Sequence, residues 1–62
     1  MLERIRELAK AAGISIAETE RRAGLSAGTI KAWGKTMPSA DKVLSVAECF
    51  GVTVEFLLTG ES

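Results

Sequence analysis

Between Leu2 and Ala12 apolar residues return at every third or fourth position: Leu2, Ile5, Leu8, Ala9 and Ala12 share one stripe, with charged residues between them. That spacing predicts a helix over 2–12 with one buried side, and Gly13 supplies the left-handed residue on which helices commonly stop. Ser15-Ile-Ala-Glu18 has the form of a capping box, the Ser15 hydroxyl taking a free amide while Glu18 reaches back. A second helix is therefore expected over 16–23, ended by Gly24. Leu25 and Ser26 complete a tight turn, and Ser26 is expected to cap a third helix over 27–34 that holds Thr29, Ile30 and Trp33 before Gly34. Lys35 to Met37 form a loop, and Pro38 forbids helix through it. Ser39, with Asp41 in the positive first turn, opens a fourth helix over 40–50 with Ala40, Val43, Leu44, Val46, Ala47 and Phe50 as its apolar residues. Gly51 ends it, and Thr53 caps a short fifth helix over 54–59 that carries Val54, Leu57 and Leu58 and is closed by Gly60.

The alternating pairs Ile14/Ile16 and Val52/Val54 are too brief to pair into a sheet. The pattern predicts an all-α fold of five short helices, with residues 1–62 as a single domain free of linkers, repeats and low-complexity segments.

Composition sharpens this in three ways. Sixty-two residues lie near the lower size limit for folding without staples, so the 47% of apolar residues must form a dense core. The longest unbroken apolar runs are three or four residues, too short to span a membrane, and the N-terminal MLERIRELAK is charged and periodic rather than a signal peptide. The single cysteine, Cys49, cannot form an internal disulfide, which points to a reducing cytoplasm, while the absence of histidine removes the usual metal ligand and catalytic base. With no base partner, Cys49 reads as an inert thiol, packed or partly exposed; if exposed, it could join two chains on oxidation. No nucleophile, base and metal ligands cluster in the sequence, so an enzyme is not expected, and no cofactor is evident.

The net charge of zero hides an uneven distribution. Residues 1–20 net −1, and residues 43–62, with Glu48, Glu55 and Glu61, net −3. Residues 21–42 hold Arg21, Arg22, Lys31, Lys35 and Lys42 against Asp41 alone, a net of +4. Such a middle is either a phosphate-facing surface or an ordinary solvated face.

The second and third expected helices, joined through Ala23, Gly24, Leu25 and Ser26, have the proportions of a helix-turn-helix. Gly24 takes a positive φ without cost, Ala23 is small enough for close helix approach, and Leu25, Ile30 and Trp33 supply the third helix's apolar side. Ser26, Ala27, Gly28, Lys31, Ala32 and Lys35 then face outward, where such a helix can enter the DNA major groove.

On SIAETERRAGLSAGTIKAWGK and, downstream, MPSADKVLSVAECFGVTVEFLLTGE, the chain resembles the phage-repressor (Cro/C1-type, lambda-repressor-like) helix-turn-helix family, and within it short prophage regulators of Gram-positive bacteria that often carry a WGK-x-x-P-S-x-D-K segment. The likeness covers nearly the whole chain and implies a five-helix DNA-binding domain whose third helix lies in the major groove. It places base-edge contacts on Ser26, Ala27, Gly28, Lys31 and Ala32, and phosphate contacts on Ser15, Ile16, Lys35 and Thr36. Two positions depart from the family: Ile16, where relatives often have glutamine, and Thr19, where a leucine is usually buried. The ending LLTGES falls where longer relatives begin a linker.

Alanine reads a thymine methyl by apolar contact and Gly28 lets the backbone approach the bases, whereas Lys31, Ser26 and Lys35 alone can hydrogen-bond to base edges. Few direct base contacts are expected, with selectivity drawn from DNA shape, phosphate positioning and half-site spacing. Trp33 falls on the apolar stripe and is expected in the core rather than against a sugar-phosphate. Arg21 and Arg22 either meet phosphate or pair with Glu18 across a helix turn. Phe56, Leu57 and Leu58 exceed what a two-turn helix hides, so either one or two of them make a dimer contact, as in some relatives, or all three close the core.

The function expected is a sequence-specific bacterial transcriptional regulator, a repressor that binds a double-stranded DNA operator as a homodimer in the cytoplasm and acts by occlusion. The alternative is a protein-interaction module on the same fold, with the ion pairing of the basic middle as the discriminating feature.

Overall fold

A computed structural model describes residues 1–60; Ser62, the end of the expected domain, and Glu61, one of the acids of the tail, lie outside the described residues. Five helices follow in order: α1 (Leu2–Ala12), α2 (Ile16–Arg22), α3 (Thr29–Ala32), α4 (Ala40–Phe50) and α5 (Val54–Thr59). No strand occurs among the described residues, so the chain is all-α, as the apolar spacing predicts. No described helix is long and apolar enough to cross a membrane.

The apolar stripes converge on one cluster of Ile5, Ile30, Trp33, Val43, Val46, Ala47 and Leu57, drawn from α1, α3 with its flank, α4 and α5. Met1, Leu2, Leu8, Ile16, Ala23, Leu25, Phe50, Val52 and Val54 pack around it, half-buried. The stripes are narrower than their spacing suggests: Ala12 and Ala40 are exposed, and Leu44 keeps 49% of its surface in water. Trp33 is buried, as its place on the stripe predicts. Leu57 is fully buried, so it closes the core and has no surface with which to touch a second chain; Leu58 stays 48% exposed and Phe56 half-buried.

α2 is the exception among the longer helices. It packs on α1, α3 and α4, yet its buried residues are Thr19 and Glu20. The Thr19 hydroxyl donates to the Ser15 carbonyl at 3.0 Å, which satisfies a polar atom placed where the resemblance implied a buried leucine.

Helix ends follow the glycine and cap signals closely. α1, α2 and α4 stop with the same bond pair: the glycine amide donates to the carbonyl three back and the next amide to the carbonyl five back, as in Gly24 to Arg21 at 3.2 Å and Leu25 to Glu20 at 2.7 Å. Thr53 caps α5, accepting from the Phe56 amide at 3.0 Å. Ser15 caps α2, accepting from the Glu18 amide at 3.0 Å, but the reciprocal half of the expected box is replaced: the Glu18 carboxylate binds Arg21 at 2.8 Å and Arg22 at 3.0 Å. Ser15→Ala is therefore expected to lower unfolding free energy by about 0.5–2 kcal/mol, measured by urea titration; an unmoved midpoint would show that the cap is idle.

Two expected caps are not formed. Ser39 holds the N-cap position of α4 without a hydroxyl bond to the backbone. Its side chain instead holds the Asp41 carboxyl below the usual carboxylate range, with further help from the Asp41 and Lys42 amides and the Lys42 charge. Ser26 does not cap α3 with its side chain either; its carbonyl accepts from the Thr29 amide at 3.1 Å. Gly34 is not a left-handed stop. Its value is room, since a Cβ there would lie 3.2 Å from Leu2 Cδ2.

A tertiary bond joins α1 to α5: Arg4 Nη1 donates to the Leu57 carbonyl at 3.3 Å, meeting one of the open carbonyls and the negative end of α5.

Candidate nucleic-acid interface

The turn between α2 and α3 is set by local chemistry. Gly24 sits at φ 74°, a conformation open to glycine at little cost, and lets the chain leave α2 sharply. Gly28 sits at φ 86°. A left-handed residue cannot lie inside a right-handed helix, so the expected helix over 27–34 shrinks to the four residues of α3. Beyond Ala32 the chain continues in tight turns, with Trp33, Gly34 and Lys35 amides each donating to the carbonyl three back.

So short a helix is marginal without outside support, and the support comes from α2. The Glu20 carboxylate, 4% exposed, accepts from the Gly28 amide through Oε1 at 3.1 Å and from the Ile30 amide through Oε2 at 2.8 Å. A buried carboxylate thus takes the capping role assigned to Ser26. Sequence spacing missed it because the partners lie eight and ten residues away. The available signal was periodicity: Glu20 occupies the stripe of Ile16 and Ala23, where an acid needs a partner.

The outward surface of this unit gathers the expected residues unequally. Ser26, Ala27, Gly28, Lys31 and Ala32 are all exposed on the turn and α3. The Gly28 amide, however, points to Glu20 and is not available to a base. Lys35 and Thr36 follow in the next turn, both exposed, with the Thr36 hydroxyl hydrogen committed to the Ala32 carbonyl at 3.1 Å. Ser15 is exposed and keeps its hydroxyl hydrogen, since its oxygen is the acceptor in the cap. Ile16 is half-buried against the core, so its side chain does not stand outward with the others. A cleft of about 240 Å³ opens beside the turn, lined by Ala17, Glu20, Arg21, Leu25 and Ala27.

The charges divide. Arg21 and Arg22 are ion-paired with Glu18, whereas Lys31 and Lys35 are exposed and form no ion pair among the described residues. The basic middle is therefore half neutralised on α2 and open on α3 and the turn after it. Cys49 is free and half-buried on α4.

A family model described as a helix-turn-helix domain matches residues 2–62 of the chain. No curated protein and no solved structure matches it.

Proposed function

The chain belongs to the helix-turn-helix domain family, a DNA-binding regulatory class, and we propose that it is a repressor which binds a two-fold operator as a homodimer and acts by occlusion. The observation that carries this reading is the surface of α3 and the turns on either side of it: Ala27, Lys31, Ala32 and Lys35 are all exposed, and the two lysines form no ion pair among the described residues. Unpaired lysines neutralise phosphate and release counterions, and small residues beside them allow the turn to approach base edges and thymine methyls.

Within this proposal Lys31 reads a base edge beside Ser26, Ala27, Gly28 and Ala32. Lys35, Thr36, Ser15 and the main chain at Ile16 position the phosphates. Gly28 contributes closeness of backbone rather than a hydrogen bond, because its amide is spent on Glu20. The dimer contact falls to Leu58 and Phe56, with Leu57 removed from it by burial. Localisation in the bacterial cytoplasm and a place among Cro/C1-type prophage regulators belong to the same proposal.

Lys31→Ala is expected to weaken operator binding by about 1–3 kcal/mol, read from titrations of labelled duplex; equal affinity for both proteins would remove Lys31 from the reading surface. The reading as a whole is tested by selecting bound duplexes from a random library at near-physiological salt. Enrichment of a two-fold motif with half-sites about one turn apart, roughly 34–36 Å, is expected. Retention that vanishes with salt, with nothing enriched, would overturn it. The ion pairs of Arg21 and Arg22 with Glu18, together with exposed Met37, Leu44 and Leu58, favour the second reading, a protein-interaction module, should the selection fail.

A further inference from the structure

We propose that Glu20 is a specificity-determining positioning residue of the DNA-reading surface, acting through the start of α3 and never touching DNA; this rests on the DNA-binding reading above. Three successive amides at that start are turned into the protein: Gly28 and Ile30 to the Glu20 carboxylate at 3.1 and 2.8 Å, and Thr29 to the Ser26 carbonyl at 3.1 Å. Amides at a helix start ordinarily attract a phosphate. Here they are already used, and a full negative charge lies beneath them, offsetting the partial positive charge of the helix end.

Two consequences follow. Hydrogen bonds to an ionised carboxylate are short and strong, and two of them from one planar group fix the rotation of α3 as well as its position. Ala27, Lys31 and Ala32 ride on this turn, which contains a left-handed glycine and only four helical residues; Ile30 and Trp33 anchor it to the core, and the two Glu20 bonds set how its start is turned. The second consequence is negative: the start of α3 is a poor seat for phosphate, so unrelated DNA gains little there and discrimination is kept.

Glu20→Gln keeps the shape and one acceptor oxygen but turns an NH2 group toward a backbone donor. In that variant, affinity for the duplex selected by the wild type is expected to fall by about tenfold or more. Affinity for an unrelated duplex of the same length stays equal or rises, because a negative charge near the backbone is gone. Glu20→Asp, one methylene shorter with the charge retained, is expected to lose discrimination without gaining unspecific affinity. Affinities are taken per folded molecule, well below the melting temperature. A merely structural role predicts unchanged affinity for both duplexes once the folded fraction is counted, and that result overturns the proposal. If the wild type selects no duplex, the DNA reading fails and the positioning role with it; if the wild type selects and the variants discriminate equally well, the positioning role alone fails. Should neither variant fold, amide exchange on the wild type decides. Gly28 and Ile30 protected far beyond exposed Ala27 supports the clamp, and exchange as fast as Ala27 overturns it.

Discussion

Trp33→Ala is expected to remove a large part of the protein's stability and to lower its melting temperature sharply. Removing a buried tryptophan side chain costs about 3–5 kcal/mol, through lost apolar contact and the cavity left behind. A 62-residue chain holds, at about 0.05–0.15 kcal/mol per residue, a total stability on the order of 3–9 kcal/mol. Trp33 packs with Ile5, Ile30, Val43, Val46, Ala47 and Leu57, so its loss strikes the place where α1, α3, α4 and α5 meet. Far-UV circular dichroism against temperature is the direct check, with Trp33→Phe as a milder companion that retains most of the helix signal. The result that would return Trp33 to the DNA surface is a variant with an unchanged melting curve and weaker duplex binding. As the sole tryptophan, Trp33 also reports unfolding by fluorescence in every other variant.

The second large effect separates core from dimer at α5. Leu57→Ala is expected to cost about 2–5 kcal/mol, with the same loss at low and high protein concentration, because Leu57 is fully buried within one chain. Leu58→Ala, at a position 48% exposed, is expected to leave monomer stability within about 0.5 kcal/mol while shifting sedimentation toward monomer. Urea titrations at two concentrations and sedimentation velocity read both quantities. A Leu57→Ala loss that disappears at high concentration would mean that the side chain is buried by a partner and not by its own fold. A Leu58→Ala protein that sediments like the wild type would take α5 out of the dimer interface.

How legible the molecule was depends on how local each interaction is. Helix ends were the easiest to read. Gly13, Gly24, Gly51 and Gly60 all adopt positive φ, and Ser15 and Thr53 cap the helices that follow them, because these devices act within three to five residues. The buried residues were read almost as well from spacing, since Ile5, Ala9, Val43, Val46 and Leu57 sit on helical stripes. The third helix was misread for a reason of the same kind. Its glycine was given an outward, helical place, whereas Gly28 is left-handed and stands before the helix. Periodicity registers which side a residue faces and not whether the chain is helical there.

The reading surface was legible as a set of exposed residues and not as a mechanism. Lys31 and Lys35 stand open as their spacing suggests, yet no rule of spacing settled whether Arg21 and Arg22 would meet phosphate or Glu18, because both arrangements lie within reach of the same flexible side chains. In the structure both arginines pair with Glu18 along the exposed side of α2.

By itself the sequence determined the helical class, the glycine stops of α1, α2, α4 and α5, the apolar stripes and the basic middle, which are all legible from residues near one another in the chain. Only the tertiary structure decided that Glu20, and not Ser26, supports α3, that Arg4 closes α5 from the opposite end of the chain, and that Leu57 belongs to the core while Leu58 does not. Each of these depends on which helices come together, and a buried polar group finds its partner only after they have.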